Sequence, residues 1–210
     1  FRRVLFRSSI LDKDRFEKVS SDDTILHRQD GYCSWTVEED GEYFVMMRDS
    51  SYRGSGSAFY RLHVGGYRRP EVLYPAGGRP GQKTLVRFIE KDGSSFAEEA
   101  EIPADAPEFH MLFAKKQEPA MSGNLFRVVN IDNTLEVEPN EALAQATPVV
   151  AGDQAALNGI IEKPGDVDFF KLTLKKGQKL LVQGFGQALG SPLDMVVNVQ
   201  NDKGGNITGN

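Results

Sequence analysis

Short runs in which apolar and polar residues alternate, cut by glycine and proline, constrain this chain more than any other feature. Leu85 and Arg87 alternate with Val86 and Phe88, and Tyr43, Val45 and Met47 alternate with Phe44 and Met46. Tyr60, Leu62 and Val64 are in phase against Arg61 and His63, and Phe170, Leu172 and Leu174 against Lys171, Thr173 and Lys175. Successive side chains of a strand point to opposite faces, so each run predicts a half-buried strand. Cys33, Trp35 and Val37 share one phase, and Ser9–Val19 reads as a strand with a hairpin-like turn. Asp40-Gly41, Pro164-Gly165 and the polar loop Ser50–Ser57 are turn signals. No stretch carries a convincing helical period. The expected fold is all-β, built from packed sheets.

The 210 residues suit one to three domains and a sizeable core. A formal charge of −5, with no basic cluster interleaved with aromatics, argues against a nucleic-acid binder. The single cysteine, Cys33, excludes an internal disulfide framework and a cysteine-based zinc site. No apolar run approaches the roughly 18–20 residues that span a bilayer.

The remaining residues are best placed relative to Leu157–Phe170, LNGIIEKPGDVDFF, and the acidic lead-in Leu135–Thr147, LEVEPNEALAQAT. Asp168 has the parity of Phe170 and starts on the inward side of its strand. A carboxylate there is costly unless it is hydrogen-bonded, paired or bound to a cation. Asp166 and Asp168 can serve the Pro164-Gly165 turn by accepting backbone N–H groups. They can also join Glu136, Glu138, Asn140 and Glu141 as oxygen donors. Calcium takes about six to eight such oxygens in tolerant geometry, and is the cation this set suits.

The run N-G-x-I-x-x-P-G-D-V-D-F-F-K-L, then K-K-G-Q-K-L and L-G-S-P-L-D, resembles the first half of a bacterial pre-peptidase C-terminal domain, and E-V-E-P-N-E…A-T resembles its lead-in. D-G-E-Y-F-V-M-M-R-D, a glycine-rich loop and F-Y-R-L-H-V resemble the closing half of the same family. The resemblance implies jelly-roll β-sandwiches carried as accessory modules on secreted or surface proteins. It implies calcium at Glu136, Glu138, Asn140, Asp166 and Asp168, which match the ligand pattern of calcium-binding members. Between the halves, Y-P-A-G-G-x-x-G is similar to immunoglobulin-like IPT/TIG modules.

The expected organisation follows. Residues 1–8, FRRVLFRS, match the translation of a common sequencing-adapter oligonucleotide and are set aside as a cloning or assembly scar. Residues 9–69 are the C-terminal half of one sandwich, 70–132 an immunoglobulin-like sandwich, and 133–210 the N-terminal half of a second copy, reached through a polar linker from Asp132 to Pro139. Ile10–Asp14 overlays Val199–Lys203, as expected of a repeat. The two halves hold about one full set of strands, so residues 9–65 are expected to dock on 157–210.

Catalytic patterns are weak. Asp166 and Asp168 lie on one strand face and do not flank a scissile bond as a glycosidase pair does. His27, His63 and His110 are scattered, Ser191 lacks the G-x-S-x-G elbow, and Cys33 reads as a core residue. SYRGSGS and PAGGRPGQ lack phosphate-loop spacing and read as turns. Tyr52, Arg53, Tyr67, Arg68 and Arg69 offer a polymer- or protein-binding face, or else linker packing. The function the resemblance implies is a non-catalytic accessory, scaffold or binding module of an exported bacterial protein, at the cell surface or outside it. Its partner would be an extracellular polymer or protein, with no nucleic acid and no membrane span. The alternative is the accessory region of a secreted, peptidase-like hydrolase.

Overall fold

A computed structural model describes residues 6–21, 31–49, 52–115, 120–150 and 154–209. The chain divides into two compact units, Phe1–Gly65 and Gly66–Asn210. The regular structure is nearly all strand. Among the described residues the only helical elements are two single 3-10 turns, Leu143–Gln145 and Gln187–Leu189. No helix among them is long and apolar enough to cross a membrane.

The first unit holds one antiparallel sheet of β1 (Phe6–Leu11), β2 (Glu17–Ser21) and β3 (Phe44–Asp49), in the order β2-β1-β3. Strand β1 therefore begins within the segment set aside at the N-terminus, with Arg7 paired to Arg48 and Ser8 to Met47. The expected hairpin forms because Asp12 closes it. Its Oδ1 accepts the backbone N–H groups of Asp14 and Phe16 at 3.0 and 2.9 Å, and Arg15 takes the left-handed conformation between them. The Phe16 hydrogen bond, with help from Lys18, holds the Asp12 carboxyl below its usual range. At the centre of the sheet Ser9 is fully buried and donates through Oγ to Glu17 at 2.8 Å.

Two alternating runs do not become strands. Cys33–Val37 and Ala58–Val64 are irregular, and Tyr60, Leu62 and Val64 are exposed. Alternation makes a half-buried strand only when a neighbour supplies the ladder, and neither run has one among the described residues. Trp35 instead meets Tyr43 edge to face, with ring centroids 4.9 Å apart, and Cys33 is half-buried.

The second unit opens with a sandwich of two three-stranded sheets. One is β4 (Val72–Tyr74), β6 (Lys83–Ile89) and β7 (Ser95–Glu101), antiparallel in the order β4-β6-β7. The other is β5 (Gly77–Gly78), β9 (Asn124–Val128) and β8 (Phe109–Leu112), in the order β5-β9-β8. The parity read from the sequence holds: Val86 and Phe88 are buried while Leu85 is 68% exposed. They pack with Leu73, Ile102, Leu112, Phe126 and Val128 into one core, and Phe88 stacks on Phe96 at 5.4 Å. Gly77 and Gly78 lie where β9 passes. A Cβ on Gly77 would strike the Arg127 carbonyl, and one on Gly78 would come within 3.1 Å of the Phe126 ring. Asn124, fully buried, ties the entry to the sandwich by donating to the carbonyls of Pro70 and Glu71 at 2.9 and 3.0 Å.

Beyond the sandwich the pairings are short. The expected polar linker contains a strand, β10 (Asn133–Leu135), parallel to β12 (Ala156–Asn158). A second parallel pair joins β11 (Thr147–Pro148) to β13 (Phe170–Lys171), and β14 (Asn198–Gln200) forms an antiparallel hairpin with β15 (Asn206–Gly209). The strand expected to run from Phe170 to Lys175 stops at Lys171, and Leu172 and Leu174 are exposed. Among the described residues no strand pairs with 172–182. Residues 9–65 and 157–210, expected to dock, belong to different units.

Because Phe88 and Phe126 fill the sandwich core, replacing either with alanine is expected to cost about 3–5 kcal/mol. Leu85→Ala, on the outer face, is expected to change stability by less than about 0.5 kcal/mol. Equilibrium urea unfolding followed by far-UV circular dichroism measures the difference.

Candidate metal centre

Two parallel ladders bring the acidic lead-in against the loop that follows it. Strand β10 pairs with β12 in the register Asn133 to Ala156 and Leu135 to Asn158, and the ladder is extended by the Glu136 N–H donating to the Asn158 carbonyl at 2.9 Å. In the second ladder the Thr147 N–H donates to the Phe169 carbonyl at 2.8 Å and that of Val149 to the Lys171 carbonyl at 3.0 Å. Segment 136–140 is held to both. The Val137 N–H donates to Thr147 Oγ1 at 2.9 Å, and the Phe169 N–H to the Asn140 carbonyl at 3.2 Å.

The result is a group of three carboxylates. One oxygen each from Glu136, Glu138 and Asp168 lies within 4.8 Å of the other two. Glu136 and Asp168 are half-buried, and Glu138 is exposed. The Ile160 N–H donates to both Glu136 oxygens, at 2.9 and 3.0 Å, and the Asn140 N–H donates to Glu138 Oε2 at 2.9 Å. Gly159 is the floor. A Cβ there would overlap Asp168 Oδ2 and come within 2.7 Å of Glu136 Oε2, so only glycine lets the two carboxylates meet.

Like charges this close oppose ionisation. Burial, then the negative charge of Asp168, pushes the Glu136 carboxyl up to about 7, against the stabilising Ile160 hydrogen bond. Burial likewise raises Asp168, with Asp166 and Glu138 adding repulsion. A proton retained on the pair relieves this repulsion. Nearby Tyr74 is pushed up to about 12, first by burial and then by the charge of Glu136. Two polar groups remain unsatisfied. Among the described residues Asp168 Oδ1 has no hydrogen-bond partner, and the fully buried Asn140 amide has none at either Oδ1 or Nδ2.

Of the five residues singled out in the sequence, the structure gathers Glu136, Glu138 and Asp168. Asn140 follows in the same segment. Asp166 stands outside the three-carboxylate group. It accepts the Glu162 N–H at 2.7 Å while its own N–H donates to the Lys163 carbonyl, the turn role its neighbours allow. Glu141 pairs with Lys163 at 3.2 Å. Sequence reasoning missed Gly159, whose signal was the Asn-Gly pair. It also missed Asn158, which accepts the Ala76 N–H at 3.1 Å and donates to Asn133 at 3.2 Å. Asn133 in turn donates to the Gly77 carbonyl at 2.7 Å, so the carboxylates are built on the β4–β5 turn of the sandwich.

Among the described residues none of the other candidates belongs to the three-carboxylate group. His27 is outside the described residues. His63 is exposed, and His110 sits on β8 opposite Phe126. Ser191 accepts the Leu193 N–H through Oγ at 3.2 Å, a turn role beside Pro192. Arg68 lies over the Phe96 ring at 4.4 Å and pairs with Glu90, and Arg69 donates to the Pro70 carbonyl. These two arginines pack the entry to the sandwich. Glu136 and Asp168 each place an oxygen within 4.8 Å of the other, whereas glycosidase carboxylates stand about 5 Å or more apart.

No family model matches the chain, and no solved structure matches it. The chain is similar to a probable subtilase-type serine protease of Deinococcus radiodurans, with 35% identity over 74 residues. That stretch is 35% of this chain and 10% of the protease, so the match spans about a tenth of the relative's length.

A carboxyl raised by folding ties stability to pH in a definite direction. Glu136 keeps its proton to about pH 7 when folded but ionises near 4.5 when unfolded, so the folded state binds more protons between these values. In chelator, stability is therefore expected to fall as pH rises from about 4.5 to about 7. The lowered carboxyls of Asp12, Glu17 and Glu101 act with the opposite sign below that window. Thermal melts across the window should show the decline, and Glu136→Gln should flatten it.

Proposed function

We propose that this chain is a non-catalytic, calcium-stabilised accessory module of an exported bacterial protein. The observation that carries the calcium reading is the convergence of Glu136, Glu138 and Asp168 on one point, with Asp168 Oδ1 left unpartnered. The donors are hard oxygens, which suit calcium and not a soft metal. Glu136, Glu138 and Asp168 would hold the ion, with Asn140 beside them, and Asp166 would keep the turn in place. The ion would neutralise the repulsion that otherwise retains a proton on Glu136 and Asp168. It would also join the lead-in to the loop before β13, making one body of two segments now linked by very short ladders. The partner of such a module is an extracellular polymer or protein.

A second reading places the module in a secreted hydrolase of peptidase type. The similarity to part of a subtilase-type protease favours it. The catalytic residues would then lie elsewhere in the parent protein, and this chain would position or stabilise them. A longer read of the gene separates the readings, since a protease signature in the same open frame selects the second.

Calcium binding only the folded state must raise stability. At about a hundred times its dissociation constant the ion adds about 2.7 kcal/mol, a rise in Tm on the order of 5–10 °C for a chain of this size. That rise is expected at pH 7.5 in millimolar calcium relative to chelator. It should vanish in Asp168→Asn and in Gly159→Ala, and persist in Asp166→Asn. A calcium-independent Tm in a cooperatively melting sample overturns the reading.

A further inference from the structure

The hairpins β1–β2 and β14–β15 are the same piece of structure at two places in the chain. Ile10 pairs with Val19 and Val199 with Thr208, and Leu11 pairs with Glu17 and Gln200 with Asn206. In each, the register shifts at the same step, between Ile10 and Leu11 in the first and between Val199 and Gln200 in the second. The turns close alike. Asp12 Oδ1 accepts from the N–H groups of Asp14 and Phe16, and Asn201 Oδ1 from those of Lys203 and Gly205, at 3.0 and 2.8 Å. The backbone bonds from Asp12 to Phe16 and from Arg15 to Asp12 recur from Asn201 to Gly205 and from Gly204 to Asn201. Arg15 and Gly204, at equivalent positions, are both left-handed, with φ of 68° and 81°. Hairpins of this general kind are common. A shared bulge, a shared side-chain clip and a shared left-handed position in one continuous register are a narrower coincidence.

The two differ in one respect. Strand β1 has β3 on its other edge, in the register Ile10 to Val45, and its Ser9 is fully buried. Strand β14 has no second neighbour among the described residues, and Asn198, the counterpart of Ser9, is exposed. Val196 and Ile207 beside it are exposed as well. An edge strand with apolar neighbours and an unused row of N–H and C=O groups is a template for another strand.

We propose that the open edge of β14 is a strand-docking site, and that its occupant is an extended segment with the chemistry of β3. The pattern of β3, Phe44-Val45-Met46-Met47-Arg48-Asp49, sets that chemistry: bulky apolar residues on both faces, then a charged end. Docking is antiparallel, and the register is that of β1 with β3. Val199 therefore stands opposite the residue equivalent to Val45. The edge is a receptor for a strand from the same repeat type, supplied by another segment of polypeptide.

The test uses the full chain carrying Cys33→Ser and Val199→Cys, with a synthetic peptide of residues Gly41–Asp49 carrying Val45→Cys. In a glutathione buffer a mixed disulfide is expected between the thiols introduced at positions 199 and 45. Its yield should be at least about fivefold above that with peptides carrying cysteine at position 44 or 46, because a one-residue slip turns the thiol to the other face. A Leu181→Cys chain, exposed and outside any strand, reports unguided capture. Equal yields in all three registers, or a yield no higher than at position 181, overturn the proposal. Hydrogen exchange on the unmodified chain with millimolar unmodified peptide is the second measurement. The amides of 198–200 should slow by about tenfold, and slowing confined to 6–11, or none, counts against the site.

Discussion

The pairing of β10 with β12 is the contact on which the second half of the molecule rests. Three residue pairs are a small ladder, yet Asn158 at its end reaches in three directions. It accepts from Ala76 in the turn of the sandwich, donates to Asn133 across the ladder, and offers its carbonyl to the Glu136 N–H. That residue aligns the start of the acidic lead-in with the loop at Gly159, and the β11–β13 ladder holds its far end. A rigid sandwich with one well-packed core thus carries a thin, hydrogen-bonded extension. The carboxylates sit where the two meet, because there the backbone is fixed from both sides.

Electrostatics make that location consequential. Three carboxylates brought together by backbone geometry cannot all be ionised at little cost. The fold answers partly with the Ile160 and Asn140 N–H groups, which stabilise Glu136 and Glu138, and partly by keeping a proton on the Glu136–Asp168 pair. Neither satisfies Asp168 Oδ1 or the Asn140 amide. A proton retained on the pair is one answer to that charge imbalance, and the calcium ion proposed above would be another.

What the residues disclosed depended on whether local pattern or remote pairing decided the outcome. The alternation at Lys83–Ile89 was reliable because β6 lies between two neighbours over a filled core. The Asp12 turn was equally legible, since its clip is made within a few residues. Alternation failed at Ala58–Val64 and beyond Lys171, where no neighbouring strand among the described residues completes a ladder. Glu136, Glu138 and Asp168 could be named from carboxylate spacing and from the resemblance carried by the P-G-D-V-D-F-F run. Asp166 could not be told from Asp168 in advance. Asp166 meets the Glu162 N–H whereas Asp168 meets the Glu136 and Glu138 carboxylates, and that is set by the loop's path. Gly159 was marked in the sequence only by the Asn-Gly pair, since its contribution to the site is the side chain it lacks.

The direction of the β10–β12 pair carries a mechanical meaning. The strands are parallel, so the chain enters at one end of the ladder and leaves at the other. A pull on the polypeptide from both sides slides β10 and β12 past one another and loads every bond between them at once. An antiparallel hairpin such as β14–β15, pulled from its two ends, opens one bond at a time, like a zipper. Under tension the load passes through the short ladder beside the carboxylates. For a polypeptide tethered at both ends, that ladder is the part that resists, and the flanking hairpin the part that yields.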